Sequence, residues 1–213
     1  MKIIRIDDYP TGVRPITQLN EIHKFIGIFE DLKINYHLGI VPLLLNNTMI
    51  NFLKKLSYCI PTLHGFDHCF FQKSLICERN ADLKNKYSIS GNFNEFGESS
   101  YDEIFQKILW GKNILQSVFK DKIIDTYIPP CNIINKNTDK ALHENSFRRC
   151  FSDGPIPEKK HLQYIKSDFY GKILESNNED LSKDVITLHA TWEADDIENG
   201  LYNEIKNKLK CLT

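Results

Sequence analysis

The chain has 213 residues, 41% of them hydrophobic and 26% charged, with 27 Lys and Arg against 28 Asp and Glu and a formal net charge of -1. These values exclude disordered, collagen-like and coiled-coil chains. A balanced charge with no basic stripe also excludes a protein that binds nucleic acid by neutralising phosphates. The length fits one domain, residues 1–213, large enough to enclose a core and a buried site.

Ile3, Ile4 and Ile6 predict a buried strand from Lys2 to Asp7, stopped by Asp-Asp-Tyr-Pro. Pro15 opens a helix in which Leu19, Ile22, Ile26 and Phe29 recur at helical spacing. Tyr36 to Val41 is a second strand, Met49 to Leu56 a short helix, and Tyr58 to Leu63 a third strand ending at His64-Gly65. The segment from His68 to Ser100 is polar, Asn-rich and weakly periodic. Tyr101 to Phe119 is the strongest helix, with Ser99 or Ser100 as its cap and Glu103 in its first turn. Strands follow at Ile123 to Ile128, Arg149 to Phe151, Leu162 to Ile165 and Asp184 to Leu188, with a helix from Lys136 to Glu144. Leu201, Ile205, Leu209 and Leu212 close the chain as an amphipathic helix. The β-α alternation argues for a parallel sheet with helices outside it.

Six scattered cysteines form no C-x-x-C pair. The N-terminus lacks the apolar run of a signal peptide, and no stretch approaches the ~18 apolar residues of a membrane span. These features read as a soluble protein of a reducing, cytoplasmic compartment.

In α/β folds the chemistry collects where parallel strands end. The residues there are Asp7-Asp8, His64-Gly65-Phe66-Asp67-His68, Pro129-Pro130-Cys131-Asn132, Asp153, and His189-Ala190-Thr191-Trp192. His64 and His68 stand at i, i+4, which on a helical turn puts both imidazoles on one face, able to grip one ion. Neighbouring strand residues point to opposite faces, so a turn at the strand end is needed to aim both Asp7 and Asp8 at one cavity. One would then ligate a metal and the other take a proton. Asp195-Asp196, by contrast, reads as an ordinary acidic pair at a helix start. His189 is either functional or a satisfied core histidine, Trp192 either core or a sugar-stacking platform, and Asp153 either functional or a cap of the Gly-Pro turn. Cys131 reads as packing, having no evident activating partner.

In this order and spacing the motifs resemble the polysaccharide deacetylase superfamily, carbohydrate esterase family four and its relatives. Asp7-Asp8 is similar to the first motif, His64-Gly65-Phe66-Asp67-His68 to the second, Tyr127-Ile128-Pro129-Pro130-Cys131-Asn132 to the third, and Leu188-His189 to the last. Asn94-Glu95-Phe96-Gly97-Glu98 resembles a segment of an uncharacterised branch. The resemblance implies a distorted (β/α)7 barrel and a metal-dependent deacetylase of acetylated carbohydrate, and the lack of an export signal points to an intracellular sugar precursor as its substrate. Asp8, His64 and His68 would hold the divalent metal, Zn²⁺ first, with Co²⁺, Mn²⁺, Ni²⁺ or Fe²⁺ fitting the same donors. Asp7 would be the general base and His189 the acid. A backbone N–H at Cys131 or beyond would hold the oxyanion, and Tyr9, Asn132 and Trp192 would line the sugar site. Two departures stand out. No Arg lies in Tyr127 to Asn132 to pair with the catalytic Asp; Arg5, two residues before Asp7 on the same strand face, is a candidate substitute, with Arg148 and Arg149 as others. Asp153 is the nearest match to the fourth, Asp-Trp motif. An amidase of another small molecule, a non-catalytic sugar-binding relative and an iron(II) oxygenase compete with this reading. The β-α alternation disfavours the last.

Overall fold

The structure, a computed structural model, describes residues 2–10, 18–68, 95–97 and 99–212. The Pro15 helix start and most of the polar segment after His68 lie outside the described residues. Strands β1 (Ile3–Tyr9), β2 (Tyr36–Ile40), β3 (Cys59–His64), β4 (Thr126–Ile128), β5 (Arg149–Phe151), β6 (Gln163–Ile165), β7 (Phe169–Tyr170) and β8 (Val185–His189) form one sheet in the order β6-β5-β4-β3-β2-β1-β8-β7. Every described pairing is parallel. The sheet curls into an incomplete barrel, the distorted (β/α)7 architecture expected, with one short strand, β7, that the sequence pattern did not show.

Helices α1 (Leu19–Leu32), α2 (Asn47–Leu53), α3 (Tyr101–Val118), α4 (Lys136–Glu144), α5 (Asn178–Ser182), α6 (Ala190–Glu198) and α7 (Tyr202–Leu209) accompany the strands. The cap of α3 is Ser100, in a reciprocal capping box with Glu103. The main core lies between strands and helices, where Ile4, Ile6, Leu38 and Ile40 meet Phe25, Phe29, Ile104 and Ile108. A smaller cluster of Ile3, Ile128, Phe151, Ile165 and Val185 occupies the opposite sheet face. Because strand side chains alternate, Ile3, Arg5 and Asp7 share that inner face. The inside of the barrel thus carries Arg5 and Asp7 on the same face as this apolar cluster.

Three expectations change. Ile123 is 77% exposed, because the chain turns before β4 begins at Thr126. Asp195-Asp196 do not start a helix; they lie in the second half of α6, where Asp195 accepts from Gln18 and Asp196 from Lys172. Helix α6 itself was hidden, because it follows β8 with no loop between them. No described helix is long and apolar enough to cross a membrane, and no disulfide joins the described Cys59, Cys131, Cys150 and Cys211 to one another.

Glu193 in α6 makes the fold sensitive to pH. Its Oε1 accepts from Ile173 N–H at 2.8 Å, while Oε2 is buried with no partner among the described residues. Burial pushes its pKa up from 4.5 to about 8. Between those values the unfolded chain ionises and the native chain keeps its proton, so the native state binds more protons and stability falls as pH rises. Glu193→Gln removes that proton uptake and keeps the Oε1 acceptor. Urea unfolding at pH 5 and pH 9 should show the variant losing roughly 2–4 kcal/mol less than the parent over this interval.

Candidate active site

The site is built around a bulge in β1. Ile6 pairs with Leu38 and Tyr9 with Ile40, so β1 carries one extra residue where β2 advances by two. Asp8 takes up the excess in the left-handed region, at φ 68°. A bulge re-aims the side chains that follow it, and this one turns both Asp7 and Asp8 into the barrel mouth. The sequence required such a turn without showing its form.

Asp8 meets the two histidines of the loop after β3. Its Oδ1 lies 2.9 Å from His64 Nε2 and 3.3 Å from His68 Nε2, and the two Nε2 atoms are 3.2 Å apart. No helical turn produces this convergence. Gly65 and His68 adopt positive φ, 64° and 56°, and fold the loop back so that both rings reach one point. Only glycine fits at position 65, since an added Cβ would lie 1.9 Å from Glu95 Oε2 and 2.7 Å from Pro130 Cγ.

Glu95 holds this loop. Its Oε1 accepts from the backbone N–H of Phe66 at 2.8 Å and of Asp67 at 3.2 Å. Burial raises its pKa to about 8. The Asn94-to-Glu98 segment singled out in the sequence therefore reaches the site through Glu95, while Asn94 and Glu98 lie outside the described residues.

His64 Nδ1–H donates to Ile128 O at 3.0 Å, which fixes the tautomer and leaves the Nε2 lone pair facing Asp8 and His68. Burial alone would raise the Asp8 pKa and lower that of His64. When the imidazoles carry a proton on Nε2, their hydrogen bonds reverse the first and hold the Asp8 carboxyl well below its ordinary range, and Asp8 reverses the second. One carboxylate oxygen and two imidazole nitrogens this close repel unless a cation, either a proton or a metal ion, lies among them. The donor set fits a divalent metal, and it is the one such cluster among the described residues.

Asp7 faces a different partner. Arg5 Nε donates to Asp7 Oδ1 at 2.8 Å and Arg5 Nη2 to Asp7 Oδ2 at 2.6 Å, a bidentate pair with Arg5 1% exposed. Nη2 also donates to Asn132 Oδ1 at 2.8 Å, and Nη1 to Asp153 Oδ2 at 3.3 Å. Burial pulls the guanidinium pKa down, but Asp7 outweighs it and the group stays charged. Asp153 is tied in turn by Ser167 N–H at 2.6 Å and Ser167 Oγ at 2.9 Å. It thus supports Arg5. Arg149 is spent on Asp125 at 2.8 Å.

His189, the last residue of β8, lies with Nε2 4.0 Å from Asp7 Oδ2. Trp192 stacks on its ring at 4.0 Å between centroids and 19° between planes. Burial pushes the His189 pKa down, with Asp8 and Asp7 partly offsetting it. Two residues expected to line a sugar site are placed otherwise. Tyr9 is fully buried, its hydroxyl 3.0 Å from His23 Nε2 and its ring beside Phe52, because the bulge turns it back into the core. Asn132 commits its Oδ1 to Arg5. Cys131 is exposed, in a 3₁₀ turn with φ 53°. The two N–H groups after it are used within that turn, Asn132 N–H on Pro129 O and Ile133 N–H on Pro130 O.

No family model and no curated protein matches the chain. Solved structures match over nearly all of it. A family 4 carbohydrate esterase from Streptomyces lividans, in complex with acetate, has a TM-score of 0.59 at 9% identity over 98% of this chain and 86% of that one. The chain has the fold of the family 4 carbohydrate esterases. A family 4 acetyl xylan esterase from Clostridium thermocellum, in complex with a cobalt ion, has a TM-score of 0.51 at 11% identity over 95% of this chain and 85% of that one. A family 4 pseudoenzyme from Bacillus anthracis has a TM-score of 0.52 at 9% identity over 97% of this chain and 61% of that one. At these identities the likeness is one of fold.

On this esterase fold, Arg5 makes the carboxylate pair that the sequence resemblance assigns to a third-motif arginine. Sequence reasoning missed Tyr170, whose hydroxyl lies 2.9 Å from His189 Nε2. Nothing in Asp168-Phe169-Tyr170 marks a two-residue edge strand, so no local signal existed to find it.

Proposed function

We propose that the protein is a metal-dependent hydrolase that removes an acetyl group from an N- or O-acetylated carbohydrate. One observation carries this reading: Asp8 Oδ1, His64 Nε2 and His68 Nε2 converge beside a second carboxylate, Asp7, that is clamped by arginine. The fold shared with carbohydrate esterases supports it, and the net charge of -1 suits a neutral sugar. Asp8, His64 and His68 would hold the ion, Zn²⁺ before Co²⁺, Mn²⁺, Ni²⁺ or Fe²⁺. When bound, such an ion acidifies a water molecule towards pKa ~7 and polarises an acyl oxygen.

The chain's own residues supply the rest. Asp7 takes the water proton. Arg5 uses one lone pair on each of its oxygens, leaving another free, and fixes the plane of the carboxylate. A backbone N–H at Cys131 would hold the oxyanion in this reading, since Pro129 and Pro130 have none to offer. His189 supplies the proton for the leaving nitrogen or oxygen, and Trp192 offers an apolar face to the sugar. Acetate release from N-acetylated amino sugars tests the assignment. It should vanish on chelation, return with Zn²⁺ and be absent in His64→Ala. Metal binding without acetate release from any acetylated sugar or small amide would instead indicate a binding protein, and activity indifferent to chelator would contradict the proposal.

A further inference from the structure

We propose that Tyr170 is the residue through which His189 passes its proton to the leaving group, so that the acid of this site is a histidine–tyrosine relay. The inference rests on the hydrolase reading above. It begins with the two nitrogens of His189. Nδ1 is buried and has no hydrogen-bond partner among the described residues. Nε2 lies 2.9 Å from the Tyr170 hydroxyl. The ring cannot turn easily to offer either atom elsewhere, because Trp192 stacks on it at 4.0 Å and Tyr170 meets it edge-on, with centroids 4.9 Å apart and planes at 66°. A proton leaving His189 therefore leaves from Nε2, and the phenol oxygen covers Nε2.

Tyr170 is placed to carry that proton outward. The imidazole is 7% exposed, whereas Tyr170 is 45% exposed. Strand β7 sets Tyr170 against Thr187, two residues before His189, at the barrel rim. Burial of the phenol and the nearby Asp7 and Asp8 carboxylates raise its pKa, so it keeps its proton and acts as donor and acceptor at once.

Asp7 takes one proton of water as the new C–O bond forms at the acyl carbon. When the C–N bond breaks, its electron pair goes to nitrogen. That nitrogen takes the Tyr170 hydroxyl proton while the phenol oxygen takes the Nε2 proton of protonated His189. The imidazole is left neutral, and the proton on Asp7 restores it after the products leave.

The full-length Zn²⁺-loaded protein and its Tyr170→Phe variant test this with two substrates. An acetylated amino sugar has a leaving nitrogen that needs a proton, whereas 4-nitrophenyl acetate releases a phenolate that does not. The variant should lose roughly 10²-fold in kcat/KM on the amide and stay within about two-fold on the aryl ester. Its melting temperature should match the parent's, since one oxygen is lost at a half-exposed edge position. Equal amide rates, or an equal fall on both substrates, would overturn the relay while leaving the hydrolase reading intact. A parent protein inactive on both substrates would overturn both.

Discussion

Asp7→Asn is expected to lower kcat for acetate release by about 10³-fold, within the 10²–10⁴ that a positioned general base contributes. The substitution keeps the shape of the side chain and one acceptor oxygen for Arg5. It removes the carboxylate placed to accept a water proton beside the Asp8–His64–His68 cluster while leaving that cluster intact. Metal affinity should therefore change little as turnover collapses, which separates loss of a base from loss of the ion. A variant that retains more than a tenth of the parental kcat at saturating Zn²⁺ would show that Asp7 is not the base.

Arg5→Ala is expected to cost about 3–5 kcal/mol of unfolding free energy, the range for breaking a buried ion pair from one side. Arg5 makes four hydrogen bonds, two to Asp7, one to Asn132 and one to Asp153. Its loss leaves Asp7, 2% exposed, without a counter-charge. Arg5→Lys keeps the charge but cannot form the planar fork. It should recover part of the stability and little of the activity, because a single ammonium does not fix the Asp7 plane. Urea unfolding of the three proteins checks the order. A loss below about 1 kcal/mol for Arg5→Ala would mean that the clamp is incidental to the fold.

The strand ends carried most of what was legible in the sequence. Apolar runs that stop at Asp7-Asp8, at His64 and at His189 are read locally; His64 and His189 do end their strands, while β1 continues past Asp7-Asp8 to Tyr9. Arg5 was legible as a partner for Asp7 because residues two apart on a strand share a face. The bulge at Asp8 was not, because it depends on how β1 registers against β2, and that register is absent from any single segment. Tyr9 went wrong for the same reason: one extra residue returns it to the core. The i, i+4 spacing of His64 and His68 suggested a helical turn, yet positive φ at Gly65 and His68 brings the same rings together. Tyr170 and Asp153 act through contacts across the sheet, the one to His189 and the other to Arg5. Such contacts leave no periodicity to read.

Crystals of the protein grown or soaked with Zn²⁺ and measured at the zinc absorption edge show directly whether Asp8, His64 and His68 hold an ion. One strong anomalous peak is expected about 2.0–2.2 Å from Asp8 Oδ1, His64 Nε2 and His68 Nε2, with Asp7 still on Arg5 and outside the coordination shell. A cluster left without a peak at saturating zinc, or a peak that recruits Asp7 in place of Asp8, would overturn the proposed metal site.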